Sequence, residues 1–143
     1  MSILVTGSTG KTDHHIVDLL RTRTPSTSAI TVSRQPGPQA GSSKSSGFSP
    51  ARFDWEDRTT FPLPFDAASA SDLDSIATVH LIIPAHIPPA HVCKFIDLAV
   101  SRGATRFVPM SGSLDIPGDP IQGPIHAHLR HHASVSDDRG HVA

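Results

Sequence analysis

Ile3-Leu4-Val5-Thr6-Gly7-Ser8-Thr9-Gly10-Lys11-Thr12 stands almost at the start of the chain and carries the strongest local signal of its fold. A short β-branched run meets a glycine, so it predicts a buried strand ending in a tight turn. From Lys11 to about Arg23, Ile16, Leu19 and Leu20 recur at helical spacing and predict a helix with one buried stripe, which Pro25 ends. Ala29 to Ser33 reads as a second strand, which completes a βαβ unit of about thirty residues. A glycine loop between strand and helix suits a dinucleotide. The chain must turn sharply and approach a pyrophosphate without a Cβ in the way, while the helix N-terminus aims N–H groups at the anion. Gly7, Thr9, Gly10, Lys11 and Thr12 are the candidate phosphate contacts. The spacing is G-x-x-G-x-x-D, with Asp13 where a third glycine commonly stands.

Further along, Pro36 to Pro50 is dominated by Pro, Gly and Ser and predicts a mobile loop. Arg52-Phe53-Asp54-Trp55 resumes a strand-like pattern. Thr59 to Ala70 is ambiguous, with three short apolar clusters broken by proline and then a possible helix through Ile76. Val79 to Ile83 is the best strand in the chain, closed by Pro84. A helix follows with Val92, Phe95, Ile96 and Ala99 on one face and Gly103 as its C-terminal stop. Arg106 to Met110 reads as a fifth strand, weakened by Pro109. Strands alternating with helices predict an α/β fold, a Rossmann-like, doubly wound parallel sheet, of which about five strands make the N-terminal half. The expected organisation is one incomplete nucleotide-binding domain over 1–130 and an irregular tail over 131–143.

Composition narrows the partners. The formal charge of −1 gives no electrostatic reason for nucleic acid or a membrane surface. The longest apolar stretch is too short to cross a bilayer, and the chain starts without the pattern of a signal peptide. A single cysteine, Cys93, excludes an internal disulfide and suits a reducing compartment, so the cytoplasm is the expected location. A small molecule is the expected partner. Past the second strand, where an NAD site places an acidic residue, stand Ser33 and Arg34. An arginine fork suits a 2′-phosphate, so NADP is the expected cofactor.

Ten histidines and no tyrosine complete the inventory. Ser111 and Ser113 follow the fifth strand, where a substrate-orienting hydroxyl belongs. His126 and His128 are candidates for lining the substrate. No metal site is expected, because His126-x-His128, with His131 and His132 nearby, has no acidic or thiol ligand at usual spacing.

The segments Ile3–Thr12, Arg52–Trp55, Lys94–Val100 and Arg106–Ser113, with Gly123–Leu129, resemble the NmrA-like atypical short-chain dehydrogenases, and within them the fungal festuclavine/agroclavine dehydrogenases. The resemblance covers roughly Met1 to Arg130. It implies an oxidoreductase that reduces a cyclic iminium ion with NADPH in ergot alkaloid biosynthesis. It also implies that Asp54 and Trp55 flank the adenine and that Pro84 lies beside the cofactor. Members of that family are longer, so a truncated form without turnover is expected. The alternative is a non-catalytic, NmrA-like dinucleotide sensor, which would share the same loop.

Overall fold

The computed structural model describes residues 2–7, 13–23, 27–34, 48–71, 73–110, 120 and 122–138. Five strands form one parallel sheet: β1 (Ser2–Val5), β2 (Ser28–Ser33), β3 (Phe48–Arg52), β4 (Ile76–Leu81) and β5 (Arg106–Pro109). Among the described residues four α-helices accompany them: α1 (Asp13–Arg23), α2 (Leu63–Ala70), α3 (Pro89–Ser101) and α4 (Gln122–Asp138). The spatial order is β3-β2-β1-β4-β5. The chain therefore winds outward from β1 to β3, returns to β4, and winds outward again on the other side. Right-handed crossovers then place α1 on one face and α2 and α3 on the opposite one. The doubly wound sheet expected from the sequence is the observed one.

Strand alternation sorts the core in the same way. Leu4, Ile30, Val32, Val79 and Leu81 point toward α2 and α3 and join Phe65, Val92, Phe95, Ile96 and Ile125 in one buried cluster. Val5 and Ala29, equally buried, point to the other face. There α1 buries Val17, while Ile16 and Leu20 are half-buried. Leu19 is exposed, contrary to the predicted stripe. At 3.6 residues per turn it stands on the opposite side of the helix from Val17.

The helix ends follow their sequence signals. Proline occupies the first turn of α2, α3 and α4, where its missing N–H costs nothing. Gly103 takes a φ of +99° after α3. There Ala104 N–H donates to the Ala99 carbonyl (2.9 Å) and Gly103 N–H to that of Val100 (3.0 Å), a Schellman stop.

Three boundaries differ from expectation. The fourth strand is Ile76–Leu81, beginning three residues before Val79 and ending two before Ile83. The third strand is Phe48–Arg52, so the end of the Pro/Gly/Ser-rich segment is strand and Phe53-Asp54-Trp55 follows it. Pro50 is accepted there because β3 is an edge strand that pairs only with β2. Pro109 sits in β5, the other edge, for the same reason. The expected irregular tail is also corrected, since α4 continues through Arg130 to Asp138. Its later turns carry a polar i, i+4 pair, His128 and His132, rather than an apolar one, so a search for hydrophobic period stops too early.

Candidate functional site

In a parallel sheet every strand ends on the same edge, and an open α/β sheet binds ligands there, where the strand order reverses. In this chain the reversal lies between β1 and β4. Thr6 and Gly7 follow β1, Arg34 follows β2, Asp54 and Trp55 follow β3, and Pro84 follows β4. The fold thus carries Gly7, Arg34, Asp54, Trp55 and Pro84 to one edge, although they span most of the chain. Thr9, Gly10, Lys11, Thr12, Ser111 and Ser113 lie outside the described residues.

Gly7 has a φ of +78°, a left-handed conformation that side chains with a Cβ adopt only with strain. It is the position at which the chain leaves β1 and turns toward α1. Thr6, just before it, is fully buried. Its Oγ1 accepts from Ile82 N–H at 2.7 Å and lies 3.1 Å from the His80 carbonyl, to which its hydroxyl can donate. Thr6 N–H also donates to the His80 carbonyl at 3.1 Å. One threonine therefore ties the end of β1 to the end of β4 at the reversal point, and so fixes the base of the glycine loop. In sequence Thr6 is one more β-branched residue at the end of a strand, and its role emerges from the β1–β4 pairing.

The segment after β3 crosses toward β4 and is held at both ends. Phe53 N–H donates to the Ser33 carbonyl (2.9 Å), and the Trp55 indole N–H donates to the Ile82 carbonyl (3.0 Å). The Trp55 ring is buried against Phe53, Phe61 and Phe95, with centroids 4.8, 6.1 and 5.3 Å away. It forms part of the floor beneath the strand ends. Asp54 closes a turn: its N–H donates to Thr60 Oγ1 (2.9 Å) and its carboxylate accepts from Glu56 N–H (3.0 Å). Arg34 is exposed, at the end of β2. Pro84 is half-buried, and its carbonyl accepts from Ile87 N–H (3.0 Å), which starts the approach to α3.

The titratable groups near the sheet behave as burial dictates. His80 on β4 is half-buried, and its buried Nδ1 has no hydrogen-bond partner among the described residues. Burial lowers its pKa, which keeps the ring neutral near pH 7. Burial and the neighbouring Asp97 carboxylate push the Cys93 thiol up, so it lacks the character of a nucleophile.

The histidine candidates do not share one place. His126 is half-buried in the first turns of α4. His128 turns to α3, where its Nε2 lies 2.7 Å from Asp97 Oδ1. Asp97 is eight residues into α3, roughly 12 Å along the helix from its start. The structure brings His128 to that carboxylate and not to the strand ends.

No family model matches the chain. Festuclavine synthase I of Penicillium roqueforti is 33% identical over 133 residues, and agroclavine dehydrogenase of Claviceps fusiformis is 37% identical over 133 residues. Both similarities cover 90% of this chain. The chain spans 42% of the length of each relative. Among solved structures, Citrobacter sp. triphenylmethane reductase complexed with NADP(H) superposes with a TM-score of 0.69 at 15% identity, covering 93% of this chain and 46% of that one. The yeast methylglyoxal/isovaleraldehyde reductase complexed with NADPH also gives 0.69, at 20% identity over 96% of this chain and 50% of that one. These likenesses agree with the fold. No helix among the described residues is long and apolar enough to cross a membrane.

Proposed function

We propose that this chain is the NADPH-binding part of an oxidoreductase that reduces a cyclic iminium ion in clavine alkaloid formation. The observation that carries this reading is the convergence of Gly7, Arg34 and Asp54 on one sheet edge in a chain similar to clavine dehydrogenases over 90% of its length. Gly7 fits the cofactor, because a left-handed glycine opens the backbone to a pyrophosphate. With Thr9, Gly10, Lys11 and Thr12 it would hold the phosphates. Arg34 would pair with the 2′-phosphate. Asp54 would stand beside the adenine, with Trp55 fixing it from below, and Pro84 would border the nicotinamide end.

NADPH, when bound, supplies the hydride. An iminium carbon already carries the positive charge that protonation gives a carbonyl, so this chain needs no acid at the reacting carbon. Its sequence contains no tyrosine to serve as one. The residues' task is to position, and to keep a buried, apolar floor under the reacting pair. Ser111, Ser113 and His126 would orient the substrate. Residues 1–130 would act as an incomplete nucleotide-binding domain, and the lone Cys93 suits a protein of the fungal cytoplasm.

Arg34 gives the direct test. An arginine–phosphate pair is worth about 1.5–3 kcal/mol, so Arg34→Ala is expected to weaken NADPH binding roughly tenfold to a hundredfold while leaving NADH binding unchanged. Fluorescence titration of both nucleotides measures it. Equal affinities in the unmodified protein would refute the choice of NADP.

A further inference from the structure

Two imidazoles and a carboxylate converge between α3 and α4. The Nε2 atoms of His128 and His132 lie 2.7 and 2.8 Å from the same oxygen, Asp97 Oδ1, and 3.3 Å from each other. We propose that Asp97, His128 and His132 form a site for one zinc ion that joins α4 to α3.

The helix supplies two of the three ligands. Residues four apart stand on one face of an α-helix, so His128 and His132 present their rings side by side. They meet edge to face, with centroids 4.8 Å apart. The third ligand, Asp97, comes from α3 and stands 31 residues before His128 in the chain. That carboxylate is what the histidine spacing alone lacks, and the expectation of no metal site rested on its absence.

The distances suit a metal. Around a tetrahedral zinc with bonds of about 2.0–2.2 Å, neighbouring donor atoms sit roughly 3.3 Å apart. The two nitrogens already have that spacing, and the nitrogen–oxygen distances need to open by about half an ångström. Without a cation, both rings must direct N–H groups at a single oxygen. With one, each ring gives a lone pair and the carboxylate balances the charge. Two imidazoles with one carboxylate favour zinc and its neighbours over magnesium or calcium, which prefer all-oxygen shells. Asp97 is about half exposed and the histidines about one-quarter exposed, so water can complete the fourth position.

The test titrates the metal-free 143-residue chain with zinc by calorimetry, then with cobalt(II) while recording visible absorption. One tight equivalent of zinc and the intense band of tetrahedral cobalt are expected. Removing a group that merely supports a ligand costs about 10- to 100-fold in affinity. Asp97→Ala and His132→Ala should therefore each weaken this equivalent by roughly a hundredfold or more. His86→Ala, in the loop after β4, should leave it unchanged. His132→Gln keeps a polar side chain in α4, and circular dichroism shows whether the helix persists; loss of the cobalt band with the helix intact supports the site. Zinc should also raise the melting temperature of the unmodified chain and not that of Asp97→Ala. Absence of a tight equivalent, or one that survives both alanine substitutions, would overturn the proposal.

Discussion

Phe95→Ala is expected to remove about 3–5 kcal/mol of stability, the range for a fully buried aromatic truncated in a packed core. Phe95 has no exposed surface. Its ring lies 5.0 Å from Phe53, 5.3 Å from Trp55, 5.4 Å from Phe61 and 6.2 Å from Phe65, mostly edge to face. These partners come from the segment after β3, the turn before α2, and α2 itself, so one side chain on α3 joins three separate stretches. A domain of this size holds about 5–15 kcal/mol in total, and such a loss would leave it close to unfolding. The same cavity would free Trp55, whose indole fixes the loop beneath the nucleotide edge. Urea denaturation followed by tryptophan fluorescence measures the change on the chain's single tryptophan. A loss below about 1 kcal/mol would mean that the cluster closes over the cavity.

Thr6→Val is expected to weaken NADPH binding roughly tenfold, or about 1.4 kcal/mol, and to destabilise the fold by about 1–3 kcal/mol. Valine keeps the shape but leaves the buried Ile82 N–H without the oxygen it reaches at 2.7 Å. The ends of β1 and β4 then lose their side-chain tie, and Gly7 is the next residue in the chain. Thr6→Ser restores the hydroxyl and should recover most of the binding. A Thr6→Val protein with unchanged NADPH affinity would show that the glycine loop is held by other means.

The features legible in the sequence are those written in local pattern. Ile3 to Gly7 and Val79 to Pro84 point to two strands, because β-branched runs closed by glycine or proline leave few other conformations, although the second strand is Ile76–Leu81, shifted toward the N-terminus of the expected Val79 to Ile83. Val92, Phe95, Ile96 and Ala99 announced a helix face that is buried as expected. Pro50 misled, since a proline argues against a strand only where a neighbouring strand needs its N–H, and β3 is an edge; the fifth strand stands as read in spite of Pro109 because β5 is the other edge. Thr6 and Asp97 were illegible for a different reason. Thr6 acts on Ile82, 76 residues later, and Asp97 acts on His128 and His132 across a helix pair. Nothing in the spacing around either residue encodes its partner. The helical tail beyond Arg130 belonged to the same class, because Ile125 and Leu129, the apolar contacts of α4 with the core, lie before it, while His132 meets Asp97 across the helix pair.

NADPH binding at the strand ends is tested most directly by titrating the isotopically labelled 143-residue chain with NADPH and following its amide resonances. Saturable shifts are expected at Gly7 to Thr12, Arg34, Asp54 and Trp55, with the amides of His128 to His132 unmoved. No shifts at high NADPH concentration, or shifts confined to α4, would contradict binding at the strand ends.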